Sequence, residues 1–261
     1  MRFYQAATLG LIQGITEFLP VSSTAHLISL PRLWGWQRPG LSFDTSLHLG
    51  TLLATGLYLR QDFKRILESL QKPLPQNEVF DLFLSSLPAG LAGLLLEKRI
   101  EKYLRSTQTL SWGILIGALF MAWADAQKQA QPLKQPTRLS RFLTGSSQAL
   151  ALFPGISRSG VTLATGLACG LERALAARES FLIGFPIITA AGLFKLKDFV
   201  KNPPNAKELG LLATALASAS LSGYFCLKLL LRFLEQNSLK PFVLYRLGLT
   251  LFLLSQKSSE I

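Results

Sequence analysis

A chain of 261 residues with 49% hydrophobic content and a mean hydropathy of +0.33 has too little polar surface to coat a soluble globule of its size. Charged residues are 16% of it, against about 25% in soluble domains, and they collect between long apolar runs. The net charge of +12 and pI near 10.0 do not indicate nucleic acid, because no basic stretch is interleaved with stacking aromatics; the lysines and arginines instead punctuate the ends of apolar segments, where they meet anionic membrane lipids.

In chain order, the first apolar segment runs from about 4 to 34. Gln13 and Glu17 interrupt it and no small-residue cleavage signal follows, so it reads as mature protein and not as a leader. It breaks halfway, at Pro20-Val-Ser-Ser-Thr. Three spans follow at about 42–60, 79–96 and 108–126, with loops expected at Lys64–Pro75 and Glu97–Arg105. After a charged loop, Lys128–Arg141, comes a second broken segment, 141–170, interrupted at Pro154-Gly-Ile-Ser-Arg-Ser-Gly. Spans at about 177–194, 208–231 and 241–256 complete the chain, the loop Lys195–Lys207 separating the first two. Cys169 and Cys226 each lie in an apolar run and read as small buried residues.

Proline removes a backbone donor and disfavours helix at the residue before it, so each broken segment should split into two half-helices. Hydrocarbon tolerates such backbone only where protein or a water-filled cavity surrounds it, which predicts a pair of re-entrant hairpins meeting near the midplane. Gly10, Gln13, Pro20, Ser22 and Ser23 echo Gly145, Gln148, Pro154, Ser157 and Ser159, the mark of an internal duplication. With three spans between the copies, the repeats 1–126 and 141–256 would be inverted within a single membrane domain. The expected fold is therefore all-α: six transmembrane helices plus two re-entrant helix-loop-helix hairpins. Basic residues divide evenly between the two faces of this topology, so charge does not orient it.

Gln13 and Glu17, four apart, share one face of the entering half-helix. A carboxylate deep in an apolar segment costs about 2.5–3.5 kcal/mol on insertion scales, which marks Glu17 as functional unless it only pairs with an arginine. Past the break, Ser23 and His26 are three apart, a candidate nucleophile and base; the plainer reading is helix capping by Ser22 or Ser23 with His26 bonded to a carbonyl. In the second break Gly155 permits close backbone approach, Ser157, Ser159 and Thr162 add hydroxyls, and Arg158 supplies a planar fork suited to phosphate oxygens. Together with the helix N-terminus they form an anion cradle, whose alternative is an inert Arg158–Glu17 pair. His48 reads as a polar residue at a span's beginning, without a catalytic role.

Gln13-Gly-Ile-Thr-Glu17-Phe-Leu-Pro-Val-Ser-Ser-Thr-Ala-His26 and Pro154-Gly-Ile-Ser-Arg-Ser-Gly-Val-Thr162 resemble the two signature motifs of the undecaprenyl-diphosphatase (bacitracin-resistance) family, and Phe43-Asp44 before His48-Leu-Gly-Thr follows in the family's order. The resemblance implies an enzyme of the bacterial inner membrane that hydrolyses undecaprenyl diphosphate to the monophosphate, recycling the lipid carrier of cell-wall synthesis. It also implies a divalent cation, magnesium or calcium, and a site opening to the periplasm; a homodimer stays open. Carried over residue by residue, Glu17, Ser23, His26 and Arg158 are catalytic, Gln13, Ser22, Ser157, Ser159 and Thr162 bind substrate, and Glu17 with Gln13 holds the cation. Gln13 stands where relatives often have glutamate, and Glu179 where they usually have an apolar residue, which suggests that it sits near an interface. Ser23 either attacks phosphorus with His26 as base or binds phosphate while His26 activates water. A polyprenyl-phosphate transporter or flippase is the rival class, resting on architecture alone.

Overall fold

In hydrocarbon every backbone amide must find its partner within its own segment, so apolar runs of this length fold as helices. The computed structural model describes residues 1–37, 41–104, 106–127, 132–201 and 203–255, and among them the only β pairing is one bridge between Leu133 and Leu171. The helices are α1 (Phe3–Phe18), α2 (Ser23–Leu33), α3 (Leu41–Tyr58), α4 (Arg60–Glu68), α5 (Glu78–Tyr103), α6 (Thr107–Ala126), α7 (Arg138–Ser147), α8 (Arg158–Ala168), α9 (Arg173–Lys201), α10 (Ala206–Leu234) and α11 (Lys240–Ser255).

Four of them contain stretches long and apolar enough to cross a membrane: Glu78–Leu96, Thr107–Ala126, Arg173–Phe194 and Ala206–Leu234. Less than half of each stretch is buried by protein, and Leu94, Leu95 and Leu251 are more than 70% exposed. Apolar surface on that scale calls for lipid, and the chain is a helical membrane protein.

Both proline breaks appear. The 16 residues of α1 and 11 of α2 extend about 24 and 16 Å, each short of a hydrocarbon core of roughly 30 Å. In the second segment α7 gives way to a 3-10 turn, Gln148–Leu152, before α8 begins. Two loop expectations are corrected. α5 runs on through residues 97–103 and α9 through 195–201, because glutamate, lysine and arginine are good helix formers once past the hydrocarbon. α4, within the loop expected after residue 64, is a short amphipathic helix burying Asp62 and Ile66. The end of the last expected span, at 256, and the loop residues Arg105 and Lys128 lie outside the described residues.

Small residues set the two breaks in place. A Cβ on Gly10 or Gly14 would strike the α10 backbone at Ala215 or Ala219, so α1 and α10 lie in close contact. Ser218, Ser222 and Cys226 of α10 then donate to the carbonyls of Ala7, Leu11 and Ile15 at 2.7, 3.3 and 3.3 Å. Gly145 brings α7 equally close to Ser85 of α5, and Gly113 and Gly117 of α6 make room for the carbonyls of Pro154 and Ile156. Beneath the breaks Phe18, Leu163, Phe181 and Leu227 share one apolar core, with the Phe18 and Phe181 rings edge to face at 5.2 Å.

Charged side chains gather around the first turns of α7. Arg141 bonds Glu179 at 2.9 Å and Glu78 at 2.6 Å, Arg138 pairs with Asp81, and Arg178 with Asp62. Glu179 is 2% exposed, its carboxylate buried because Arg141 pairs with it, and Arg141 also reaches Glu78, where a membrane-crossing stretch begins.

Candidate active site

Glu17 lies in the last turn of α1, 6% exposed, and both its oxygens are engaged. Arg158 Nη2 donates to Oε1 at 2.9 Å. Ser23 Oγ donates to Oε2 at 2.9 Å and Gln13 Nε2 does so at 3.2 Å. The arginine comes from the first turn of α8 and the serine from the first turn of α2, so Glu17 ties the start of α2 to an arginine 141 positions beyond itself.

The chain reaches these positions through two matching turns. Ser22 and Ser157 are the two non-glycine residues with positive φ among the described residues, at 73° and 72°. Each immediately precedes a helix, so the chain reverses sharply and the N-termini of α2 and α8 both open onto a cavity of about 430 Å³. Ser157 Oγ caps the Gly160 amide at 3.2 Å and lies 3.3 Å from Ser159 Oγ. Two helix N-termini directed at one space, with Arg158 between them, attract negative charge there. Ser22, Ser23, Thr24, Ser157, Arg158 and Ser159 line the cavity together with the apolar Leu27, Ile28, Leu110, Leu152, Ile187 and Ile188.

Glu17, Ser22, Ser23, Ser157, Arg158 and Ser159 thus meet as the sequence led us to expect. Gln13 touches the site from behind, fully buried against Glu17. Thr162 is fully buried beside the cavity, and its hydroxyl is taken up by the Arg158 carbonyl at 2.7 Å and by Ser180 Oγ. His26 turns away from Ser23: Nδ1–H donates to the Ser22 carbonyl at 2.8 Å, and Nε2 accepts from the Tyr245 hydroxyl at 2.6 Å. The plainer of the two readings of His26, bonded to a carbonyl, describes its geometry.

His48 is the residue the sequence undervalued. It lines the cavity, and its Nδ1 lies 3.3 Å from Glu17 Oε2 and 3.0 Å from Gln13 Nε2. Its spacing of four from Asp44, which lines the same cavity, puts both on one face of α3, and that spacing was the available signal. The Arg158–Glu17 pair exists, yet it borders an open cavity with Arg158 16% exposed, unlike a pair sealed in a core.

Fold and site together define a helical membrane protein with a cavity lined by two helix N-termini, an arginine and apolar side chains. The chain matches the family described as Bacitracin resistance protein BacA over residues 6–252, nearly its whole length, and it belongs to that family. It is 40% identical to the undecaprenyl-diphosphatase of Pelotomaculum thermopropionicum, covering 98% of this chain and 97% of that protein. It is also 40% identical to the undecaprenyl-diphosphatases of Hahella chejuensis and Geobacter sulfurreducens, with 95% of each chain covered in both comparisons.

Proposed function

We propose that the protein hydrolyses undecaprenyl diphosphate to undecaprenyl phosphate and inorganic phosphate, returning the lipid carrier to peptidoglycan synthesis and conferring bacitracin resistance. One observation carries the reading: Arg158 and Ser23 converge on Glu17 beside a cavity that two helix N-termini and several apolar side chains line. A diphosphate on a prenyl chain calls for both kinds of lining. Family membership and the names of the relatives agree with it.

In the reaction water is added across the phosphoric anhydride, the P–O–P bond breaks, and the prenyl monophosphate leaves. Charge grows on the phosphoryl oxygens as it breaks, and fixed donors aimed at them are the main source of rate in phosphoryl transfer. Arg158 and the amides at the start of α8 supply those donors. Ser23 directs its proton at Glu17 Oε2, so Glu17 serves as the base that readies Ser23 or a water in its place. His26 acts through the Ser22 carbonyl as a positioning residue, and His48, against the same carboxylate, is the histidine on the reacting side.

A divalent cation, magnesium or calcium, fits the residues present. Gln13 Oε1 is buried with no hydrogen-bond partner while its Nε2 faces Glu17, and turning the amide over would offer a neutral oxygen beside that carboxylate, a pair suited to a hard cation that takes further ligands from substrate phosphates. Glu17 and Gln13 would hold the cation, and its chemistry there would be added positive charge against the diphosphate.

We read the topology as six spans with α1–α2 and α7–α8 as re-entrant hairpins, in inverted repeats over 1–126 and 141–256. The packing supports it: α1 lies on α10 as α7 lies on α5, with Gly10 and Gly145 at the matching contacts. The cavity would open to the periplasmic side of the bacterial inner membrane. No observation favours transport over hydrolysis.

Phosphate release from polyprenyl diphosphate by purified protein in detergent tests the reading. Turnover needs one compartment, whereas a transporter would release nothing. Within the same assay, phosphoserine trapped at Ser23 supports covalent catalysis, and wild-type turnover by Ser23→Ala eliminates it.

A further inference from the structure

Two neighbouring side chains of α11 lie outside the cavity and touch both breaks. Arg246 is fully buried. Its guanidinium donates to the carbonyls of Pro20 at 3.3 Å, Gly155 at 3.1 Å and Ile156 at 3.0 Å, and twice to Ile114 of α6, at 2.9 and 3.1 Å. Pro20 stands two residues before Ser22, and Gly155 and Ile156 are the two before Ser157. One guanidinium therefore spans the approaches to both positive-φ serines.

Tyr245 completes the arrangement on the first break. Its hydroxyl donates to His26 Nε2, and His26 Nδ1–H donates in turn to the Ser22 carbonyl, while the phenol and imidazole planes lie 12° apart. The carbonyls of Pro20 and Ser22 are thus both held, directly or through His26, from adjacent residues of one helix.

A buried arginine in a membrane protein is costly to keep, and every hydrogen-bond acceptor of this one is a neutral carbonyl. Joining two loops and α6 at one point is a task for a rigid, multidentate fork; lysine's single ammonium cannot reproduce it. The room is prepared for it: a Cβ on Gly117 of α6 would collide with Arg246 Nη2. We propose that Tyr245 and Arg246 are positioning residues of the phosphatase reaction, a strut on α11 that fixes the Ser22 and Ser157 turns relative to each other and so sets Ser23 against Arg158. The inference rests on the function proposed above.

The test measures kcat and KM for phosphate release in detergent, per folded enzyme, for wild type, Arg246→Lys and Tyr245→Phe. A misplacement of about 1 Å between reacting groups costs on the order of a hundredfold in rate. Arg246→Lys should accordingly lose about a hundredfold in kcat, and Tyr245→Phe about tenfold, with KM within roughly threefold of wild type. A merely structural role would lower Tm and the yield of folded protein while leaving kcat unchanged, and that result overturns the proposal. If Arg246→Lys does not fold, Tyr245→Phe decides alone, because it removes one oxygen and no charge; wild-type kcat in that variant also overturns the proposal. Absence of phosphate release by the wild type is a separate outcome, which refutes the underlying function and the strut with it.

Discussion

At the first break the chain leaves α1 just after Glu17 and enters α2 through Ser22; at the second it leaves the 3-10 turn after α7 and enters α8 through Ser157. The backbones match, with φ of 73° and 72°, but the chemistry is divided. The first break brings the acceptor, Glu17, and a hydroxyl directed at it, while the second brings the cation and a capped helix start. Their anchoring differs as well. Neutral serine and cysteine groups of α10 hold α1 by its carbonyls, whereas α7 is held by the charged cluster around Arg141. Two breaks with matching backbones and unlike side chains make a site that neither could form by itself.

Removing the two unlike charges should have the largest effect. Arg158→Ala is expected to lower kcat/KM for phosphate release by about a hundred- to a thousandfold, the loss of a preorganised transition-state donor, and Glu17→Ala by about a hundred- to ten-thousandfold, the loss of a general base. Near-normal release by either variant, folded in detergent, would break the division of roles. Gly184→Ala probes the same contact from α9: its new methyl would collide with Arg158 Nη1 and push the guanidinium from Glu17. We expect a loss of about tenfold in kcat, an unaltered Tm, and partial recovery in no variant that keeps the methyl. Smallest in catalysis should be Arg141→Met. It strips Glu78 and Glu179 of their partner, so Tm should fall, consistent with about 3–5 kcal/mol for breaking a buried pair, while kcat per folded enzyme stays at the wild-type value. A parallel fall in kcat would tie the anchoring of α7 to the chemistry.

The breaks and their residues were legible because proline and clustered hydroxyls leave local marks, and because a carboxylate or arginine in an apolar run stands out against its surroundings. Glu17, Ser23 and Arg158 were found that way. Ser23 and His26 also satisfy a helical spacing, but spacing fixes a shared face and not the rotation of each side chain; Ser23 turns to Glu17 and His26 to Tyr245. His48 was undervalued because its partners, Gln13 and Glu17, lie on another helix. Arg246, inside the last apolar run, carries the same mark, but its partners left no trace because they are backbone carbonyls, which no residue type announces. Helix ends were misjudged at α5 and α9 because hydropathy records where lipid stops, and the helical hydrogen-bond ladder continues into water.

Ser22 and Ser157 occupy backbone angles that glycine adopts readily and that strain an L side chain by about 1–3 kcal/mol each. Selection for thermal robustness alone would therefore drift toward glycine at both positions, giving a sturdier protein with two fewer hydroxyls in its cavity. Serine at both positions keeps those hydroxyls in the cavity and accepts the strain, a trade of durability for chemistry.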